Sequence, residues 1–78
     1  MSAFTANKTL DARGLACPMP SVKTALALEG MKTGETLEVL TDDPVSRKDL
    51  PAWARSTGNT VLEIKEEDTA VRIYLRKG

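Results

Sequence analysis

Apolar residues fall in short bursts along this chain, and each burst has a readable period. Thr9 to Arg13 is a short strand candidate, closed by Gly14. From about Pro18 to Glu29, Met19, Val22, Ala25 and Leu26 repeat at helical spacing, and Gly30 is placed to end that helix. A turn at Thr33 and Gly34 leads into a strand over Thr36 to Thr41, with Leu37 and Val39 on one face, and Asp42, Asp43 and Pro44 break it. A second helix is expected over Ser46 to Ser56, with Ser46 and Asp49 as an approximate capping pair and Gly58-Asn59 as the exit. Pro51 suits only a first turn or a kink, which leaves the start of this helix open between Pro44 and Pro51.

Two strands close the chain, Val61 to Lys65 and Val71 to Arg76, joined by the polar turn Glu66 to Thr69. In the last one Val71, Ile73 and Leu75 alternate with Arg72, Tyr74 and Arg76, the pattern of a sheet with one face in water. The order βαβαββ, with right-handed crossovers, predicts an α/β (α+β) two-layer sandwich: a four-stranded mixed sheet with both helices on one face. Residues 1–7 are short, small and polar, and are expected to be a flexible N-terminal segment ahead of one domain over residues 8–78.

Composition narrows the function. The 78 residues suffice for one small domain, whose core would be consumed by a deep cofactor pocket. Eleven basic and eleven acidic residues cancel, so no whole-molecule field draws in nucleic acid or an anionic membrane. No apolar run has the length of a membrane span or the form of a signal peptide. Histidine is absent and there is one cysteine, which excludes the usual zinc sites, a Cys–His pair and an internal disulfide. A reducing, cytoplasmic setting is expected, with no cofactor and no metal.

The chemistry then rests on Cys17-Pro18-Met19-Pro20. A proline pushes the residue before it out of helical geometry and is itself suited to the first helical position, so Cys17 is expected to be the N-cap. Of the four N–H groups a helix start leaves open, two belong to prolines, and those of Cys17 and Met19 are expected to lie near the sulfur. With Gly14 and the prolines stiffening the junction, Gly14, Pro18, Met19 and Pro20 are the expected supports of a reactive thiolate or a persulfide. Burial as a small hydrophobe is the bland alternative. Spacing alone fits a redox-sensing thiol as well as a sulfur carrier.

Leu10 to Pro20, Gly34 to Val39, Asp43-Pro44 with Asp49 to Pro51, and Arg76-Lys77 resemble the TusA/SirA-like family of sulfur carriers, and the Cys-Pro-x-Pro unit is the specific part of the match. The resemblance implies the same two-layer fold. It also implies that Cys17 accepts sulfane sulfur as a transient persulfide from a cysteine desulfurase or rhodanese-type donor and passes it to an acceptor protein. The family's outlets are tRNA thiolation, molybdenum-cofactor assembly and sulfur oxidation; Met19 stands where some tRNA-pathway members carry an acidic residue. Such a carrier acts as a co-substrate, not as a self-sufficient enzyme, and is expected to be a monomer.

Other residues admit two readings each. Arg13 could steer a donor or be a solvated turn residue, and Leu15 and Met19 could form an apolar collar for a partner, with Met19 in the core as the alternative. Arg76 and Lys77 are possible partner contacts or ordinary terminal charges. Asp42, Asp43 and Asp49 are explained by turns and capping more simply than by a metal. Trp53 is expected in the core. An RNA-binding module is the competing function, opposed by neutral charge and few aromatic residues; a thiol-redox regulatory module is another.

Overall fold

A computed structural model describes residues 6–78. Strands β1 (Lys8–Asp11), β2 (Thr36–Thr41), β3 (Thr60–Glu66) and β4 (Val71–Arg76) alternate with helices α1 (Met19–Glu29) and α2 (Pro44–Ser56) in the predicted order. The sheet runs β1-β2-β4-β3, with β1 and β2 parallel and β4 antiparallel to both its neighbours. Residues 1–5 of the segment expected to be flexible lie outside the described residues. Asn7 at its end is tied to β2: its N–H donates to Thr36 O and its Oδ1 accepts from Thr36 N–H, both at 2.8 Å.

The core lies between the sheet and the two helices. Leu37, Val39, Ile73, Leu75 and Leu50 are sealed from solvent, and Ala27, Leu28, Ala54 and Val71 join them in one cluster. Burying each larger side chain contributes about 1.5–3 kcal/mol, which makes the two central strands the main source of stability. Trp53 packs against this cluster while remaining half-buried. No helix among the described residues is long and apolar enough to cross a membrane.

Three local expectations need correction. The apolar residues whose spacing predicted α1 do not form its buried face: Pro20, Thr24, Ala27 and Leu28 are buried, while Met19, Val22 and Leu26 are exposed. Apolar residues occupy both sides of this helix, so periodicity identified the element but not its orientation. Helix α2 begins at Pro44, with Asp43 as its N-cap. The Ser46 N–H donates to Asp43 Oδ2 at 2.8 Å, and Pro44 fills the first turn. Pro51 therefore lies inside the helix, and burial beside Leu50 and Ala54 offsets the backbone hydrogen bond it cannot make.

The third correction concerns the other face of the sheet. Tyr74 was expected in water, yet it is 3% exposed. Thr9, Glu38 and Tyr74 stand in line across three strands. Glu38 accepts from Thr9 Oγ1 at 3.0 Å and pairs with Arg72 at 3.0 Å. Partial burial works to raise the Glu38 carboxyl, but hydrogen bonds from Tyr74, Arg72 and Thr9 outweigh it and hold the group below the ordinary carboxylate value. Cross-strand neighbours of this kind cover a phenol ring without a second layer of structure.

Candidate functional site

The loop after β1 carries the only cysteine and is tied down along its length. Ala12, fully buried, donates to Leu40 O at 2.8 Å and so extends the contact with β2 past the end of the strand. Gly14 adopts φ +81°, a conformation that side chains disfavour, and turns the chain so that its N–H reaches Asp42 Oδ1 at 3.0 Å. Leu15 packs half-buried on the core. Cys17 and Pro18 then form the corner of a turn closed by Met19 N–H donating to Ala16 O at 2.9 Å, with a cis Cys17–Pro18 peptide. Cys17 is exposed, so burial as a small hydrophobe is not its role.

The start of α1 differs from the expected capped form. Pro18, at φ −96° and ψ 10°, occupies the N-cap position, no side chain caps the helix, and Cys17 sits one residue further out. Of the two N–H groups counted as supports for the sulfur, that of Met19 is engaged elsewhere, closing the turn. The Ser46 N–H, which donates to Asp43 Oδ2 at 2.8 Å, is the main cause that holds the Asp43 carboxyl below the ordinary carboxylate range, with weaker pulls from the backbone at Cys17 and Val45. The first helical bond runs from the Val22 N–H to Pro18 O at 3.1 Å, which places the cap at Pro18 and starts the helix at Met19.

Asp42 is therefore the residue near this site that sequence reasoning undervalued. It joins the loop bearing the cysteine to the β2–α2 junction, next to Asp43, which caps α2. The available signal for that cap was the Asp-Pro pair, since an N-cap acid followed by proline at the first helical position is a strong start. Among the described residues no group of His, Cys, Asp and Glu side chains has the arrangement of a metal site.

The other singled-out residues divide between the two ends of the molecule. Pro20 is fully buried beneath the helix start, and Met19 is exposed beside Cys17. Arg13 lies near the loop but is held by Asp11 through two side-chain hydrogen bonds of 2.9 and 2.8 Å. That pairing pulls the Asp11 carboxyl down to about 2. Arg76 and Lys77 lie at the opposite end of the sheet, and Lys77 Nζ donates to Leu28 O and Met31 O at 2.5 and 2.8 Å, closing the last turn of α1. An 11-residue helix, about 16 Å long, separates that ammonium from the cysteine turn.

The family model described as sulfurtransferase TusA matches residues 8–77. The chain belongs to the TusA family of sulfur carriers. It is 51% identical over 69 residues to the Bacillus subtilis protein YrkF, named as a candidate sulfur carrier; the match takes 88% of this chain and 37% of that longer protein. A candidate sulfur carrier of Thermotoga maritima is 47% identical over 77 residues, covering 97% of this chain and 98% of the relative. The crystal structure of a SirA-like protein from Desulfitobacterium hafniense superposes with a TM-score of 0.79 at 32% identity, covering 91% of this chain and 97% of that one. This TusA-family chain has the two helices and four-stranded mixed sheet expected of it.

Proposed function

We propose that this sulfur carrier holds sulfane sulfur as a persulfide on Cys17 and relays it between two proteins in the cytoplasm. The observation that carries the reading is the exposure of the lone thiol at the corner of a turn whose two flanks are fixed to β2, α2 and the core. Such a sulfur can reach into a partner's active site while its position stays defined.

The transfer balances without an external oxidant. The Cys17 thiolate attacks the terminal sulfur of a donor protein's persulfide. The donor S–S bond breaks, the donor cysteine leaves as its thiolate, and a new S–S bond forms on Cys17. The same exchange in the other direction hands the sulfur to the acceptor. The carbon–sulfur bond cleavage that creates the first persulfide belongs to the donor, a cysteine desulfurase or a rhodanese-type enzyme. The carrier is thus a co-substrate of its partners and needs no cofactor of its own.

Incubation with a cysteine desulfurase and L-cysteine, followed by intact mass spectrometry, tests the reading. The wild type gains one sulfur atom and Cys17→Ser gains none. A wild type that takes up no sulfur from the desulfurase, a rhodanese or inorganic polysulfide would sink it.

A further inference from the structure

Two surface features meet at the end of the molecule that carries Cys17. One is the outer face of α1. Met19, Val22 and Leu26 lie three and four residues apart, on a face opposite the buried Thr24, Ala27 and Leu28, and are 39, 43 and 58% exposed. The stripe starts two residues after the cysteine and runs about 10 Å along the helix. Val45, 52% exposed, lies in the first turn of α2, two residues past its Asp43 cap. Single exposed apolar residues are ordinary, but a continuous line of them beginning at the functional thiol marks an interaction face.

The other feature is charge. The zero net charge is split between the two ends of the sheet. Asp11, Asp42, Asp43, Glu66, Glu67 and Asp68 gather at the cysteine end. The three arginines there are committed, Arg13 to Asp11, Arg47 to Glu66, and Arg72 to Glu38 and Glu67, while Lys23, Lys48 and Lys65 lie further in, on α1, α2 and β3. Lys8, Lys32, Arg55, Arg76 and Lys77 lie towards the far end, against Glu29 and Glu35. A cleft of about 150 Å³ opens between the start of α2 and the β3–β4 turn, lined by Asp42, Asp43, Arg47, Glu67 and Asp68. Small-molecule sites run to about 300–1,000 Å³, so this cleft suits a single long side chain.

We propose that the α1 stripe and the acidic cleft together form the docking surface for this carrier's sulfur-transfer partners, and that the partner is a protein presenting an apolar patch with a lysine or arginine beside its own reactive cysteine. The inference rests on the carrier reading and adds the chemistry of the partner to it. Charge complementarity selects that occupant. A second copy of this chain would set two acidic ends against each other, and like charges facing across an interface are unfavourable. A basic group brought by the partner also supplies what the loop does not, because the Met19 N–H closes the turn and Arg13 is paired with Asp11. Positive charge beside a thiol favours the attacking thiolate.

The test compares two sulfur donors. One is the cysteine desulfurase of the source organism, loaded with L-cysteine; the other is inorganic polysulfide, which needs no docking. Val22→Asp, Leu26→Asp and Asp68→Lys are expected to slow loading from the desulfurase by about tenfold. Loading from polysulfide should stay at the wild-type rate, and Lys32→Gln at the far end should change neither. Added salt should slow the desulfurase reaction of the wild type more than that of Asp68→Lys. Unchanged desulfurase rates in all three variants would overturn the docking proposal while leaving the carrier intact, as would a wild-type dimer in sedimentation that Val22→Asp dissolves. Failure of the wild type to load from either donor would overturn both readings.

Discussion

The two helices start side by side at the same end of the sheet, and their starts are built in opposite ways. Helix α2 has a carboxylate N-cap, Asp43, whose side chain closes the first turn, and a proline at its first position. Helix α1 has no side-chain cap, with Pro18 in the cap position and Cys17 outside the helix altogether. A capping side chain is turned inward and occupied by the backbone it serves. A residue displaced from the cap is free to face outward. Cys17 occupies the second kind of start, and Asp42 of the neighbouring junction steadies its loop by accepting from the Gly14 N–H. One helix start is closed by its cap, and the other is left open for the chemistry proposed for it.

The largest expected effect removes the sulfur that the open start exposes. Cys17→Ser should abolish sulfur loading in mass spectrometry while leaving the thermal unfolding midpoint close to that of the wild type, because the side chain is exposed. Next comes the source of α1's hold, which lies on its underside. Leu28→Ala should cost about 2–5 kcal/mol in denaturant unfolding. Its exposed neighbour Leu26→Ala should cost about 0.5 kcal/mol or less. Equal costs for the two would mean that the stripe packs against structure, and that the face is not free.

Opening the closed start should have a smaller, double effect. Asp43→Ala removes the cap of α2, so the unfolding midpoint should drop and amide exchange at Ser46, whose N–H it accepts from, should quicken. Asp43→Asn, which keeps a capping oxygen, should fall between that variant and the wild type.

The smallest effect is electrostatic. Asp11 and Asp43 both hold lowered carboxyl values in the folded state, Asp11 at about 2 against an ordinary 3.8. In that window the unfolded chain binds more protons than the folded one, so stability rises with pH. The contribution is fully present above pH 3.8 and is lost as the pH falls towards 2. Asp11→Asn should flatten the acid limb of an unfolding profile slightly, since both Asp11 and Arg13 are exposed and solvent screens their pairing. An unaltered acid limb would remove Asp11 from this account.

Much of the architecture was legible because it depends on period and punctuation. Strand β2 was readable at its full length from alternation, and the βαβαββ order followed from where glycine, proline and aspartate interrupt the apolar runs. Cys17 stood out because no histidine or second cysteine competes with it, and because two prolines bracket a helix start. The side of α1 that is buried was not legible, since Met19, Val22 and Leu26 are as apolar as the residues beneath. Tyr74 was misplaced for a related reason: alternation assigns a face but says nothing about how well neighbours on that face cover a ring. Asp43 was read as a turn or capping residue, and it caps α2; the bond from the Gly14 N–H to Asp42 was not legible because it joins segments 28 residues apart.

Local chemistry therefore determined the elements, their order, the fold class and the choice of Cys17 as the candidate site, since each depends on residues within a turn or two of one another. Only the tertiary structure decided which apolar face of α1 meets solvent, which donors near Cys17 are engaged, and how a neutral chain separates its charge into an acidic end and a basic one. Those properties arise where distant segments pack together, and contacts between segments far apart in sequence leave no periodic trace along the chain.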